Sequence, residues 1–170
     1  LALQSFPVFD SNIFSSRLRE DDYKNIFINT DRPLFNRVVS GLYPPGSTAK
    51  PFLGVAALQE GIVNDKTTIT DTGSINVGNQ IFKGWTVLGI VDIYKAIAMS
   101  SNIFFYTVGG GYGNIKGLGP EKIGDYFKRF GFASASGIDL PGEAAGLIPG
   151  PQWKRQTKKE SWFIGDTYNI

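Results

Sequence analysis

Helices and a short β segment share this chain, which predicts mixed α+β content. Apolar residues recur at helical spacing across 48–60, 91–108 and 120–130. β-Branched residues gather with turn formers across 67–77. With 170 residues, 42% hydrophobic and 14% aromatic, the chain is long enough for one ordinary globular core.

Taken in order, Leu1 to Ser5 alternates weakly, as a strand end does, and a loop follows around Phe6 to Asp10. Asp21 to Ile26 fits a short helical turn, Leu34 to Leu42 is mixed, and Pro44-Pro45-Gly46 halts whatever precedes it. From Thr48 to Glu60 the apolar positions Phe52, Leu53, Val55, Ala56, Ala57 and Leu58 suit a largely buried helix closed by Gly61. Pro51 belongs in the opening turn, where backbone N–H groups have no internal partner, so the helix starts close to Ser47. Lys50 then lies one turn on, over the same face.

Asp71-Thr72-Gly73-Ser74 supplies turn signals within 67–77, giving a short strand or hairpin there. Ile93, Tyr94, Ile97 and Ala98 predict a helix over Val91 to Met99, broken at Ser100-Ser101-Asn102 and resumed from Ile103 to Val108. Pro120 opens an amphipathic helix through Ile123, Phe127 and Phe130, ended by Gly131. Asp139 to Gly150 reads as irregular connection.

Composition excludes several chemistries. Without cysteine or histidine the chain has no disulfide, no thiol nucleophile and none of the usual zinc sites. A net charge of +2 with interspersed signs offers no broad field for nucleic acid or an anionic membrane. Lys154, Arg155, Lys158 and Lys159 form one basic cluster, expected as a solvated loop between Pro151 and Trp162. No apolar run approaches the ~18 residues that cross a bilayer. The absence of an initiator methionine and of a signal-peptide pattern at Leu1 suggests a piece of something larger.

Ser47 and Lys50 carry the chemical interest. A serine hydroxyl is a poor nucleophile until its proton is removed, and with no histidine available a lysine must serve as base. A bare Ser-x-x-Lys is weak; the Pro-Pro-Gly lead-in, Pro51 and the triplet Ser100-Ser101-Asn102 sharpen it. Small polar residues at a helix break also serve simply as caps. Gly109-Gly110-Gly111-Tyr112-Gly113 matches no phosphate-loop pattern and reads as a flexible connection. Glu20, Asp21 and Asp22 read as an exposed helix start, Asp139 and Glu143 as turn formers, and Trp85, Trp153 and Trp162 as packing residues.

Together, Ser47, Lys50, Ser100 and Asn102 resemble the motifs of the penicilloyl-serine transferases, which comprise penicillin-binding transpeptidases and serine β-lactamases. That family is marked by Ser-x-x-Lys, Ser-x-Asn and Lys-Thr-Gly. Further stretches are similar to the elongation-type class B penicillin-binding proteins (penicillin-binding protein 2-like). They include Leu1-Ala2-Leu3, Phe9-Asp10-Ser11-Asn12-Ile13-Phe14, and Asn36-Arg37 with Gly41-Leu42-Tyr43-Pro44-Pro45-Gly46-Ser47. Gly131-Phe132, Gly137-Ile138-Asp139-Leu140-Pro141-Gly142-Glu143 and Trp162-Phe163-Ile164-Gly165-Asp166-Thr167 complete the set in the family's order.

The resemblance implies a partial transpeptidase domain over residues 1–170, a helical cluster packed on an antiparallel sheet that is incomplete at its C-terminal side. No Lys-Thr-Gly or Lys-Ser-Gly occurs, and Lys66-Thr67-Thr68 lacks the glycine. An incomplete sheet exposes an edge, so the isolated chain is expected to be marginally stable or to associate with the missing segment.

The implied activity is peptidoglycan D,D-transpeptidation. Ser47 would attack the carbonyl between the terminal D-alanines of a stem peptide, and Lys50 would accept its proton. Ser100 would pass a proton to the leaving amine, and Asn102 would bind Lys50 and the substrate amide. The Ser47 N–H would form half of an oxyanion hole, with ~3 kcal/mol typical per donor. The implied partners are D-Ala-D-Ala stem peptides, β-lactams and cell-elongation membrane proteins; no nucleic acid, metal or organic cofactor is expected. The implied place is the extracytoplasmic face of the bacterial inner membrane, with the anchor outside this chain. A β-lactamase or β-lactam sensor of the same fold, or a non-catalytic scaffold fragment, are the alternatives.

Overall fold

The computed structural model describes residues 2–15 and 17–169. The chain divides into two compact units, Leu1–Pro44 with Ala135–Gly146, and Pro45–Ser134 with Leu147–Ile170.

In the first unit, a 3₁₀ turn Ser11–Ser15 precedes α1 (Glu20–Tyr23), which runs on as a π turn through Lys24–Ile28. The helical segment expected at Asp21 to Ile26 is therefore present and longer. α2 (Arg37–Ser40) is capped by Asn36, whose side chain accepts from the N–H groups of Val38 and Val39. That cap satisfies two of the donors a helix start leaves without partners. Ser40 Oγ donates to the Gly142 carbonyl at 2.6 Å, and Ala144 N–H donates to Val39 O at 3.0 Å. These bonds tie the irregular 135–146 segment to α2. The strand end expected at Leu1 to Ser5 does not form over residues 2–5, and Leu1 lies outside the described residues. No backbone ladder pairs with this stretch; instead Ser5 Oγ accepts from the Arg37 N–H.

The second unit is built on α3 (Lys50–Gln59), four short strands, α4 (Ile93–Ala98), α5 (Asn102–Gly110) and α6 (Gly119–Arg129). α7 (Pro151–Lys158) and α8 (Ile164–Tyr168) follow. α5 is apolar on nearly every side, with Ile103, Phe104, Phe105, Val108 and Thr107 buried, so neighbours cover it all round. α3 packs on it through Leu53, Ala56 and Ala57, and α6 through Ile123 and Phe127. Burying Phe104 completely is worth about 1.5–3 kcal/mol. Tyr168 of α8 lies so close to α5 that a Cβ at Gly110 would collide with its ring. The glycine run expected as a flexible connection thus begins inside the helix.

The strands form two antiparallel pairs. β1 (Ile69–Asp71) pairs with β4 (Gly89–Val91), and β2 (Ser74–Val77) with β3 (Gln80–Lys83). Residues 67–77 therefore hold two strands that bond to later ones rather than to each other. Gly78, at φ +59°, opens the two-residue turn from Val77 to Gln80, a first position that favours glycine in type II′ hairpins.

Three further expectations are revised. The helix read from Val91 starts at Ile93, because Val91 belongs to β4 and the Asp92 side chain caps Lys95 N–H at 2.8 Å. The basic segment after Pro151 is α7 and not a solvated loop. Its Lys154 turns inward to pair with Asp166 at 2.8 Å, leaving 15% of the side chain exposed. Trp85 is 61% exposed rather than packed, with its indole N–H donating to Met99 O at 3.0 Å.

Candidate active site

A 3₁₀ turn, Gly46–Ala49, carries Ser47 into α3. Pro51 explains the tighter start. In an α-helix the Ser47 carbonyl would take the N–H of residue 51, which proline lacks; the Lys50 N–H takes it instead. Ser47 and Lys50 thereby project from one short segment. Ser47 is exposed and its backbone N–H makes no hydrogen bond among the described residues.

The other half of the site is the junction between α4 and α5. Ser100 N–H donates to Ile97 O, and Ser101 N–H to Ala96 O, the paired bonds of a Schellman stop. The left-handed position in that motif usually holds glycine; here Ser100 occupies it at φ +52°. Ser101 then caps α5, its Oγ accepting from Phe104 N–H at 3.1 Å. The capping alternative is thus fulfilled by Ser101, while its two neighbours turn towards α3.

All four predicted residues meet. Lys50 Nζ donates to Ser100 O at 2.7 Å, Ser100 Oγ at 3.0 Å and Asn102 Oδ1 at 2.6 Å. Ser100 Oγ in turn donates to Ser47 Oγ at 3.0 Å. The Ser100 hydroxyl thus bridges Ser47 and Lys50. Asn102 Nδ2 also donates to Lys83 O at 3.4 Å, joining the junction to β3.

No carboxylate pairs with Lys50 among the described residues. Burial pushes its pKa below the ordinary lysine value. The Phe105 ring lies 5.8 Å away on one side. A partly desolvated lysine held by neutral oxygens can surrender its proton more readily than one facing an acid. Ser47, Lys50 and Asn102 line an open cleft with Gly46, Tyr106 and Thr167. Tyr106 and Thr167 carried no signal in the sequence as site residues.

The model of the penicillin binding protein transpeptidase domain matches residues 1–169. The chain belongs to this transpeptidase family. It is 38% identical over its whole length to the peptidoglycan D,D-transpeptidase MrdA of Acinetobacter baumannii, covering 25% of that protein. It is 32% identical to MrdA of Escherichia coli K12, covering 26% of it. The transpeptidase-family fold also superposes on solved structures. Pseudomonas aeruginosa PBP2 in complex with WCK 5153 matches with a TM-score of 0.85 at 33% identity, over 98% of this chain and 38% of that one. Helicobacter pylori PBP2 in its complex with MreC matches with a TM-score of 0.88 at 32% identity, over 97% and 30% respectively. The chain spans about a quarter of the length of these curated relatives.

Proposed function

We propose that residues 1–170 are part of the transpeptidase domain of a peptidoglycan D,D-transpeptidase in which Ser47 is acylated. The observation that carries this is the contact set of Ser47, Ser100, Lys50 and Asn102. It unites two segments fifty residues apart around a lysine with no carboxylate partner among the described residues.

The steps follow from that contact set. With Lys50 neutral, the two hydroxyls turn so that Ser47 donates to Ser100 Oγ and Ser100 to Lys50 Nζ; the proton of Ser47 then passes to Ser100 Oγ while the proton of Ser100 passes to Lys50 Nζ. Ser47 Oγ then bonds to the carbonyl carbon between the terminal D-alanines. The oxygen left negative faces the Ser47 N–H, a donor of the kind worth roughly 3 kcal/mol. Collapse breaks the C–N bond, and the proton returns through Ser100 to the departing amine of D-alanine. An acceptor amine attacks the ester carbonyl, the C–O bond to Ser47 breaks, and a proton of the amine passes through Lys50 and Ser100 to Ser47 Oγ, leaving the cross-linking amide and a restored Ser47. A β-lactam offers the same carbonyl in a ring, so its leaving group stays tethered.

Supporting the setting, H. pylori PBP2 was solved with MreC, and a further structural relative belongs to a peptidoglycan synthase complex. Cell-elongation membrane proteins are accordingly proposed as partners, at the extracytoplasmic face of the inner membrane. No helix among the described residues is long and apolar enough to cross a membrane.

The test supplies the intact protein with a stem peptide ending in D-Ala-D-Ala and an amine acceptor. Release of one D-alanine per amide formed, with penicillin held rather than turned over, is the expected result. Rapid penicillin hydrolysis without cross-linking would replace this function with that of a β-lactamase. The absence of both, in protein shown to be folded, would favour a scaffold.

A further inference from the structure

Asp71 is the one fully buried acid among the described residues, 1% exposed, and no cation pairs with it. It ends β1, held in register opposite Gly89 of β4. Its Oδ1 accepts from Gly73 N–H at 2.9 Å, and its Oδ2 accepts from Ser101 Oγ at 2.6 Å. Ser101 is itself wholly buried and stands between Ser100 and Asn102. None of the proton steps above uses either group.

The placement of Ser101 gives this bond its consequence. The residue closes α4 through its N–H and opens α5 through its Oγ, and its one hydroxyl proton is committed to Asp71. Immediately before it, Ser100 holds a left-handed backbone that is unfavourable for a non-glycine residue, so surrounding contacts must impose it. That backbone aims both the carbonyl and the hydroxyl of Ser100 at Lys50. A second route runs from the same aspartate: Gly73 O accepts from Gly84 N–H at 2.8 Å, and Lys83, next in the chain, receives Asn102 Nδ2.

We infer that Asp71 is a positioning residue. Through its buried bond to Ser101, it holds Ser100 and Asn102 in register with Lys50 and Ser47. The inference rests on the proposed acylation of Ser47.

The test uses the intact protein and separates reversible penicillin binding from the acylation step. Asp71→Asn keeps the size but cannot accept from both Gly73 N–H and Ser101 Oγ. It should slow acylation roughly 10- to 100-fold while leaving reversible binding nearly unchanged. Ile123→Val, in the core against α5, sets the baseline for a loss of stability alone. Ser101→Ala should slow the same step, and the double variant should lose no more than the worse single, because one interaction is being removed. Acylation by Asp71→Asn equal to that of Ile123→Val, or fully additive losses, would overturn the inference. If the unaltered protein is never acylated, the Ser47 reading falls. The inference is then decided by a crystal structure of Asp71→Asn: departure of Ser100 from its left-handed backbone supports it, and unchanged Lys50–Ser100 contacts overturn it.

Discussion

The carbonyl oxygen of Ser100 lies 2.7 Å from Lys50 Nζ, and the residue that offers it stands at φ +52°. Glycine would adopt that backbone freely, but glycine has no hydroxyl to place 3.0 Å from both Ser47 Oγ and Lys50 Nζ. Local strain and the proposed chemistry therefore meet in one residue.

Ser100→Gly and Ser100→Ala should separate the two. Both remove the hydroxyl and should slow acylation of Ser47 by about 10²–10⁴-fold if Ser100 relays the proton. Only glycine relieves the backbone, so Ser100→Gly should be more stable than Ser100→Ala by about 1 kcal/mol. Denaturant unfolding of the pair measures the difference; equal stabilities would mean that the left-handed turn is not strained.

Lys50 gives a pH dependence with a definite sign. Burial lowers its pKa in the folded protein, so acylation should rise with pH through a midpoint below the ordinary lysine value of about 10.4. Lys50→Arg should abolish this rise, since a guanidinium stays protonated, and should slow acylation about 10²–10⁴-fold. Stability responds to the same shift. Between the folded value and the ordinary one the unfolded chain binds more protons, so stability rises with pH across that window. Below it, the cost of burying the charge is fully present. Melting temperatures of the unaltered protein and Lys50→Met, compared across pH, should converge as pH rises through that window.

Asp166 predicts the opposite limb. Burial alone would raise its pKa, but hydrogen bonds from Lys154 Nζ and from Phe163 N–H at 2.7 Å outweigh this and hold it below the usual carboxylate value. The stability it contributes is present above the unfolded carboxylate value and is lost as pH falls through the lower folded value. Asp166→Asn should lower the melting temperature at neutral pH and lose that disadvantage in acid. A constant difference from pH 7 down to pH 2 would count against the assignment.

Much of the site was legible because helix geometry alone brings Ser47 and Lys50 together, and Pro51 marks where that helix begins. Ser100-Ser101-Asn102 was legible as a break in an apolar periodicity. Its geometry was not, since a left-handed residue is signalled by glycine and here is a serine. β3 and β4 leave little trace in the sequence because three or four residues give little alternation to read, and β4 pairs with a strand about twenty residues away. α7 was hidden by its composition: Lys154, Arg155, Lys158 and Lys159 read as a solvated run until the Asp166 partner of Lys154 was in place. Asp71 looked like an ordinary turn residue because its partner is thirty positions on.

Three hydroxyls crowd the start of α3: Ser47, its neighbour Thr48 and, through space, Ser100. The most direct measurement is therefore peptide mapping of the intact protein after exposure to a penicillin. One opened β-lactam on Ser47, absent from Ser47→Ala, is the predicted result. A modified Thr48 or Ser100, or an equal adduct in Ser47→Ala, would contradict the assignment of Ser47 as the nucleophile.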